Sequence, residues 1–174
     1  MIRCRRSWKA LQRIAERGNG RVRIYIRGFA VGIPNFEREA AASPWIEYGG
    51  PYVAPDELAN MYVRIDLCWN AHRVDDNNSL LWNRTNRFYE ACAFHTPMVA
   101  QEGSQDGQVV AQNQLGLCVD LNDIETTAAY VLEVTSEDIR DWRRHMMCLP
   151  RSVYTENGEH RELANRILRL ANAI

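Results

Sequence analysis

The sequence lacks several features that mark specialised classes of protein. Its formal net charge is only −1, so no global attraction to nucleic acid or anionic lipid is expected. It contains no run of about 18 apolar residues that would form a membrane-spanning helix. Its opening, MIRCRRSWKA, does not lead into the apolar core of a signal peptide. These absences predict a globular protein of ordinary composition in the cytoplasm.

Signatures of disulfide, metal and dinucleotide sites are also missing. The five cysteines are an odd number, lie far apart and form no Cys-x-x-Cys motif. The four histidines show no metal-ligand spacing relative to one another or to cysteine. The sequence therefore predicts free thiols in a reducing compartment and no metal site. The absence of Gly-x-Gly-x-x-Gly disfavours a nicotinamide-dependent enzyme.

The chain alternates between segments with the period of strands and segments with the period of amphipathic helices. Strands are predicted at residues 21–27, 45–48, 65–69, 98–100 and 117–119, with a truncated strand at residues 1–4. Helices are predicted at residues 7–17, with Ser7 as the N-cap, and at residues 36–42, 55–63, 86–94, 108–113, 123–133, 136–147 and 159–173.

Strands that alternate with helices form a parallel sheet that is covered on both faces. We therefore predict one α/β domain over residues 1–174, with a Rossmann-like, doubly wound parallel sheet in three α/β/α layers. Ligands of such sheets bind beyond the carboxyl ends of the strands. The loops that follow Cys4, Arg27, Tyr48 and Trp69 are the candidates to form that site.

Residues 86–103, NRFYEACAFHTPMVAQEG, are the most informative stretch. They predict a short helix that contains Glu90, a break at Pro97, a short apolar strand and a glycine-containing loop. This stretch resembles the donor site in the C-terminal domain of B-type two-domain glycosyltransferases, group 1 and family 4-like. That site reads as a basic residue, an apolar pair, Glu-Ala, a small apolar stretch and Gly-x-Pro-Val-Val. The aromatic-rich segments GGPY and DLCW also resemble enzymes of bacterial exopolysaccharide synthesis.

The resemblance implies that the chain binds a nucleoside-diphosphate sugar. Glu90 would accept hydrogen bonds from the ribose, because one carboxylate suits both hydroxyls of a vicinal diol. The start of its helix and the arginines near the N-terminus would bind the diphosphate, and the segment after Tyr48 would bind the base. The residues implied for the donor nucleotide are Glu90, Arg87, Asn86, Thr85, Arg84, Arg5, Arg6, Tyr52 and Gly50.

Two positions depart from the pattern of the resembled family. The family commonly has a second glutamate eight positions before the one that binds the ribose, and this chain has Trp82 there. The contacts to the donor sugar are therefore assigned to the polar loop, at Asp75, Asp76 and Ser79. The usual glycine before Thr-Pro is replaced by His95. Histidine tolerates the positive φ that a glycine provides at the end of a helix better than most residues do.

The resemblance also implies a hexosyltransferase-type enzyme whose N-terminal acceptor domain is absent from this chain. The isolated domain would then be inactive, its catalytic residues would be unassigned, and neither cofactor nor metal would be needed. The full enzyme would associate peripherally with the inner face of the membrane. The apolar face of the last helix, including Leu163 and Ile167, would be partly exposed and would permit weak homodimerisation.

Two other interpretations stay open from the residues alone. One is a Rossmann-like enzyme of another kind, such as a sugar epimerase. The other is a non-catalytic domain for nucleotide binding or protein interaction. Direct binding of a nucleoside diphosphate would separate the glycosyltransferase interpretation from an interaction domain.

Overall fold

The computed structural model describes residues 3–72, 78–155 and 158–171. The strands of these ranges are β1 (Ile24–Ile26), β2 (Ile46–Tyr48), β3 (Cys68–Asn70), β4 (Met98–Gln101) and β5 (Gly116–Val119). The helices are α1 (Arg5–Gly18), α2 (Phe36–Ala41), α3 (Leu58–Tyr62), α4 (Asn86–Ala93), α5 (Gln105–Asn113), α6 (Ile124–Glu133), α7 (Ser136–Cys148) and α8 (Glu159–Ala171). Short 3₁₀ helices lie at Asn78–Leu81 and Arg151–Val153.

All the strand pairings in this part of the chain are parallel, as the alternation of strands and helices predicts. β1 pairs with β2, and β3, β4 and β5 form a second sheet in that order. No strand of the described ranges joins the two sheets. A doubly wound sheet has the strand order 3-2-1-4-5-6, and its switch point lies between strands 1 and 4. Two groups of parallel strands, like the two found here, lie on the two sides of that switch point.

The sheet of β3 to β5 is the middle layer of three. Met98 and Ala100 of β4 belong to a core cluster with residues of α4, α5 and α7. Val99, which points to the opposite face, packs with residues of α1 and α6. The predicted α/β/α layering is therefore confirmed for this sheet.

Helix α1 connects the two sheets. Its residues Trp8 and Leu11 belong to a core cluster with Ile26 of β1 and Ile46 of β2. Its residues Ala10 and Ile14 pack in the cluster that contains Val99 and Val119 of the second sheet. One amphipathic helix thus buries apolar side chains against both sheets and fixes them relative to each other.

The first turn of α1 contacts the segments that follow strands of both sheets. Arg5 Nε donates to the carbonyl of Gly32 at 3.2 Å, and Ser7 Oγ donates to the carbonyl of Ala71 at 2.9 Å. Arg6 donates to the carbonyl of Leu121 at 3.4 Å. These carbonyls follow β1, β3 and β5, so the carboxyl ends of strands from both sheets lie around the start of α1.

Several predicted boundaries are wrong, and the causes are two local helix caps and one buried contact across the fold. Arg3 and Cys4 are not in a strand, and α1 is capped by Cys4, whose Sγ accepts the N–H of Ser7 at 3.4 Å. Ser7 lies inside the helix because its hydroxyl is buried between Ala71 and the indole N–H of Trp69. Helix α5 begins earlier than predicted, because Ser104 caps it.

None of the helices in the described part of the chain combines the length and the apolar character needed to cross a membrane.

Candidate functional site

Helix α4 begins beside the carboxyl end of β3 and carries the central candidate residues. Thr85 is its N-cap, with Oγ1 accepting the N–H of Phe88 at 3.3 Å. Phe88, Ala91 and Cys92 are buried against the sheet, which leaves Glu90 half-buried at the border of the helix. The period of the apolar residues in the sequence predicts this orientation.

The end of α4 confirms the prediction for His95. His95 has φ 50°, and its N–H donates to the carbonyl of Cys92 at 3.2 Å. The N–H of Thr96 donates to the carbonyl of Ala91 at 2.9 Å. These two bonds are those of a Schellman motif, in which the left-handed position is usually glycine. His95 is exposed, so its role here is to end the helix before Pro97.

Glu90 interacts with two tyrosines from different parts of the chain. Tyr62, at the end of α3, donates its hydroxyl hydrogen to Glu90 Oε2 at 3.0 Å. Burial raises the pKa of Tyr52, and the charge of Glu90 raises it further. Glu90 thus acts electrostatically on a residue of the segment that follows Gly50.

Arg87 precedes Glu90 by one turn and contacts the carboxyl end of β3. It donates to the carbonyl of Trp69 at 3.3 Å, and its guanidinium also contacts Nε2 of His72. Burial lowers the pKa of His72 to about 3, with the charge of Arg87 as a second cause. His72 is therefore neutral at pH 7, and Arg87 keeps a full positive charge at the crevice edge.

A buried polar network holds the start of α4 and was not predicted from the sequence. Asp106 in the first turn of α5 and Asn70 at the end of β3 are each 3% exposed. Asn70 Nδ2 donates to Asp106 Oδ2 at 2.8 Å, and Thr85 Oγ1 donates to Asn70 Oδ1 at 2.8 Å. The N–H of Thr85 donates to Asp106 Oδ2 at 3.2 Å, which closes the ring of three residues.

The glycine that follows Asp106 makes this approach feasible. A Cβ atom on Gly107 would lie 2.1 Å from the carbonyl oxygen of Gln101, so only glycine lets α5 come this close to the end of β4. A local signal for one member of the network, Asp106, exists in the sequence. Ser104 followed by Asp106 is typical of a capped helix start with an acidic first turn, which would have placed Asp106 at the crevice edge.

Among the other predicted nucleotide-binding residues, the three arginines donate to protein carbonyls. Arg84 donates to the carbonyl of Val153 at 2.5 Å and lies over the ring of Phe88, 5.1 Å from its centroid. Arg5 and Arg6 bind the loops after β1 and β5, as described above. The carbonyl of Gly50 accepts the N–H of Gly28 at 2.7 Å. Asn86 is exposed at the start of α4. Their roles toward a nucleotide stay predictions.

The predicted sugar-binding loop is described only in part. Asp75 and Asp76 lie outside the described residues, whereas Ser79 is half-buried in the 3₁₀ helix before α4. Trp82, eight positions before Glu90, is 73% exposed. Within the described ranges, no group of three or more histidine, cysteine, aspartate or glutamate side chains is arranged to hold a metal ion.

Comparison with known proteins supports the interpretation of this architecture. No protein-family model matches the chain. The chain is 25% identical over 136 residues to the succinoglycan biosynthesis protein ExoL of Rhizobium meliloti (strain 1021), which covers 77% of this chain. A crystal structure of an α,α-trehalose-phosphate synthase (UDP-forming) from Burkholderia xenovorans, in complex with glucose-6-phosphate, matches 82% of the chain with a TM-score of 0.58 at 13% identity. The chain has the Rossmann-like fold of a B-type glycosyltransferase domain.

The chain is much shorter than both matched proteins. It spans 34% of the length of the ExoL protein and 36% of the length of the synthase chain. The B-type glycosyltransferase fold predicted from residues 86–103 and from the alternation of strands and helices is confirmed. The assignment of individual residues to the donor is not tested by either match.

Proposed function

We propose that the chain is the donor-binding half of a hexosyltransferase-type glycosyltransferase. It binds a nucleoside-diphosphate sugar, whose glycosyl group goes to a glycan or lipid-linked acceptor during exopolysaccharide synthesis. The observation that carries the proposal is the position of Glu90. Glu90 accepts a hydrogen bond from Tyr62 and lies one helical turn after Arg87, which contacts the carboxyl end of β3. Nucleotides bind at this edge in doubly wound domains.

The ribose contact follows from the chemistry of Glu90. Tyr62 occupies one lone pair of Oε2, and Oε1 is left to accept hydrogen bonds from a diol. Tyr52, which is half-buried, presents a ring on which a nucleobase stacks, and the backbone around Gly50 supplies polar contacts to the base edge.

The diphosphate contact combines charge with free backbone donors. The N–H of Thr85 is bound by Asp106 and the N–H of Phe88 by Thr85, so Asn86 and Arg87 supply the N–H groups at the start of α4. Arg87 adds a guanidinium, and Arg84, Arg5 and Arg6 add positive charge around the crevice. This positive charge stabilises the departing diphosphate, and the proposal requires neither a metal nor a cofactor.

The donor sugar is proposed to contact the polar loop before α4, through Asp75, Asp76 and Ser79. The acceptor site and the remaining catalytic groups belong to an N-terminal domain outside residues 1–174. Because acceptor and donor must be held together for transfer, the isolated chain is expected to lack transferase activity. The five free thiols fit a cytoplasmic enzyme, peripheral at the inner face of the membrane, where such donors and acceptors meet.

Calorimetry across the common nucleoside diphosphates tests the proposal. We expect one of them to bind the chain weakly but measurably. Glu90→Ala should weaken that binding by about 1.5–3 kcal/mol, because it removes a charge-assisted contact to the diol. A Glu133→Ala variant, altered at the end of α6 on the other side of the sheet, is the matched control. A folded chain that binds none of the nucleotides would contradict the donor-site proposal.

A further inference from the structure

We propose that Tyr62 is a positioning residue for ribose recognition, because its hydroxyl fixes the carboxylate of Glu90 in the orientation that accepts the diol. The inference rests on the proposed function and adds to it the group that orients the ribose ligand. It concerns a residue that makes no contact with the nucleotide itself.

The ring of Tyr62 is held in one place by its surroundings. Tyr62 is 6% exposed and stacks on Phe94, with ring centroids 4.9 Å apart and planes 11° from parallel. Phe94 is the C-cap of α4, the helix that carries Glu90. Tyr62 therefore contacts the end of α4 through two residues that are four positions apart. Its hydroxyl bonds to Glu90 and its ring stacks on Phe94.

The hydrogen bonds around this hydroxyl have a defined direction. Burial raises the pKa of Tyr62 well above its ordinary value, so the hydroxyl keeps its hydrogen. Cys68 Sγ lies 3.8 Å from Tyr62 Oη, and burial raises the pKa of the Cys68 thiol as well. A carboxylate is a far better acceptor than a thiol. Tyr62 therefore donates to Glu90, and the thiol of Cys68 is the group left to donate to Tyr62.

This arrangement has a consequence for ligand binding. Glu90 is only half-buried, and an unrestrained glutamate side chain at such a site samples several rotamers. The bond at 3.0 Å restrains Oε2, so that Oε1 presents its lone pairs in a fixed direction. Fixing the acceptor in advance reduces the side-chain entropy lost on binding and favours a ligand that offers both hydroxyls.

The test compares the affinities of a nucleoside diphosphate and of its 2′-deoxy analogue. The nucleoside diphosphate is the one that binds the wild-type chain most tightly. The wild-type chain should prefer the ribose form by about tenfold. In Tyr62→Phe, which retains the stacked ring, the preference should fall to about threefold or less. The affinity for the 2′-deoxy form should stay within about twofold, because the diphosphate and base contacts are intact.

Two controls separate positioning from a general loss of structure. Tyr130→Phe removes an exposed hydroxyl on α6 and should leave the preference unchanged. In a Glu90→Gln background, adding Tyr62→Phe should change the ribose preference by less than about twofold, because both variants disable the same contact. Circular dichroism and thermal unfolding establish that each variant is folded.

The outcomes distinguish the inference from the proposed function. A wild-type chain that binds and prefers ribose, with an equal preference in Tyr62→Phe, would overturn the role of Tyr62 and leave the donor site standing. A parallel loss of affinity for both nucleotides in Tyr62→Phe would show a structural role only and would also overturn it. A wild-type chain that binds no nucleoside diphosphate would overturn the proposed function, and the inference with it.

Discussion

The carboxylate of Asp106 accepts the backbone N–H of Thr85 at 3.2 Å, across 21 residues of sequence. This bond ties the first turn of α5 to the N-cap of α4. Asn70, at the end of β3, bridges the same two residues. The helix start proposed to bind the diphosphate is therefore held by three elements whose ends meet at one edge of the sheet.

Removing the carboxylate of Asp106 should destabilise the fold. Asp106→Ala leaves the N–H of Thr85 and the amide of Asn70 without their buried acceptor, which should cost about 2–4 kcal/mol. Asp106→Asn, which keeps one acceptor oxygen, should cost less. Urea unfolding measures both values, and hydrogen exchange should show faster exchange of the Thr85 amide.

The matched control for Asp106 is Asp138→Ala. Asp138 also accepts the backbone N–H of a threonine N-cap, Thr135, but does so at the exposed start of α7. Asp138→Ala should lower the free energy of unfolding less than Asp106→Ala does, because water replaces the missing acceptor at the exposed site. Equal losses of stability at the two positions would show that the burial of Asp106 does not increase its contribution to the stability of the fold.

Arg87 and Arg84 should have separable roles. Arg87→Gln should weaken binding of the nucleoside diphosphate about tenfold and reduce the dependence of its affinity on salt, because a charge beside the diphosphate is lost. Calorimetry at two salt concentrations, with the parent nucleoside as the ligand that lacks phosphates, checks this.

Arg84→Gln is the comparison variant. In the wild-type chain the guanidinium of Arg84 donates to the carbonyl of Val153 and covers the ring of Phe88. Its removal should therefore lower the melting temperature more than it lowers the affinity for the nucleoside diphosphate. An Arg84 variant with unchanged stability and a larger loss of affinity than Arg87→Gln would reverse these assignments.

His72 should make stability depend on pH. Its folded-state pKa, about 3, is below the unfolded value of about 6.5, so the unfolded chain binds more protons between these values. The contribution of neutral His72 is therefore present above about pH 6.5 and is lost as pH falls toward 3. Relative to His72→Gln, the wild-type chain should lose stability progressively between pH 6.5 and 4.

Urea unfolding at several pH values measures this difference. Burial is the main cause of the lowered pKa and the charge of Arg87 is the second. In an Arg87→Gln background the pH dependence should therefore shrink without disappearing. A difference between wild type and His72→Gln that is the same at pH 7 and pH 4 would contradict the prediction.

The last helix should promote self-association. Residues 161–169 of α8 are all exposed, and Leu163, Ile167 and Leu168 expose 57%, 57% and 60% of their surface. This confirms the sequence-based prediction of an exposed apolar face. An apolar stripe of this kind favours contact with another protein surface, so the chain should form weak dimers at high concentration.

Light scattering over a concentration series tests this prediction. Ile167→Lys should reduce dimer formation, whereas Met147→Lys, at an equally exposed site on α7, should not. A strictly monomeric wild-type chain would contradict self-association and would leave the exposed face for a partner of another kind.

Local patterns in the sequence were sufficient for much of the architecture. The alternation of short apolar strands with helices predicted parallel strand pairing, because a period of two or 3.6 is set by neighbouring residues. The single sheet that was predicted is present as two sheets in the described ranges. The stretch from α4 to β4 was predicted closely, including the left-handed position of His95.

Contacts between distant segments were decided only by the tertiary structure. The ring of Asp106, Asn70 and Thr85 joins the ends of three elements, and no local pattern links those positions. The bond from Tyr62 to Glu90 spans 28 residues and depends on how α3 packs beside α4. The sequence determined which segments form strands and helices, since backbone and side-chain preferences act locally. Packing determined which polar groups meet, because a buried donor or acceptor takes whichever partner the folded chain brings within reach.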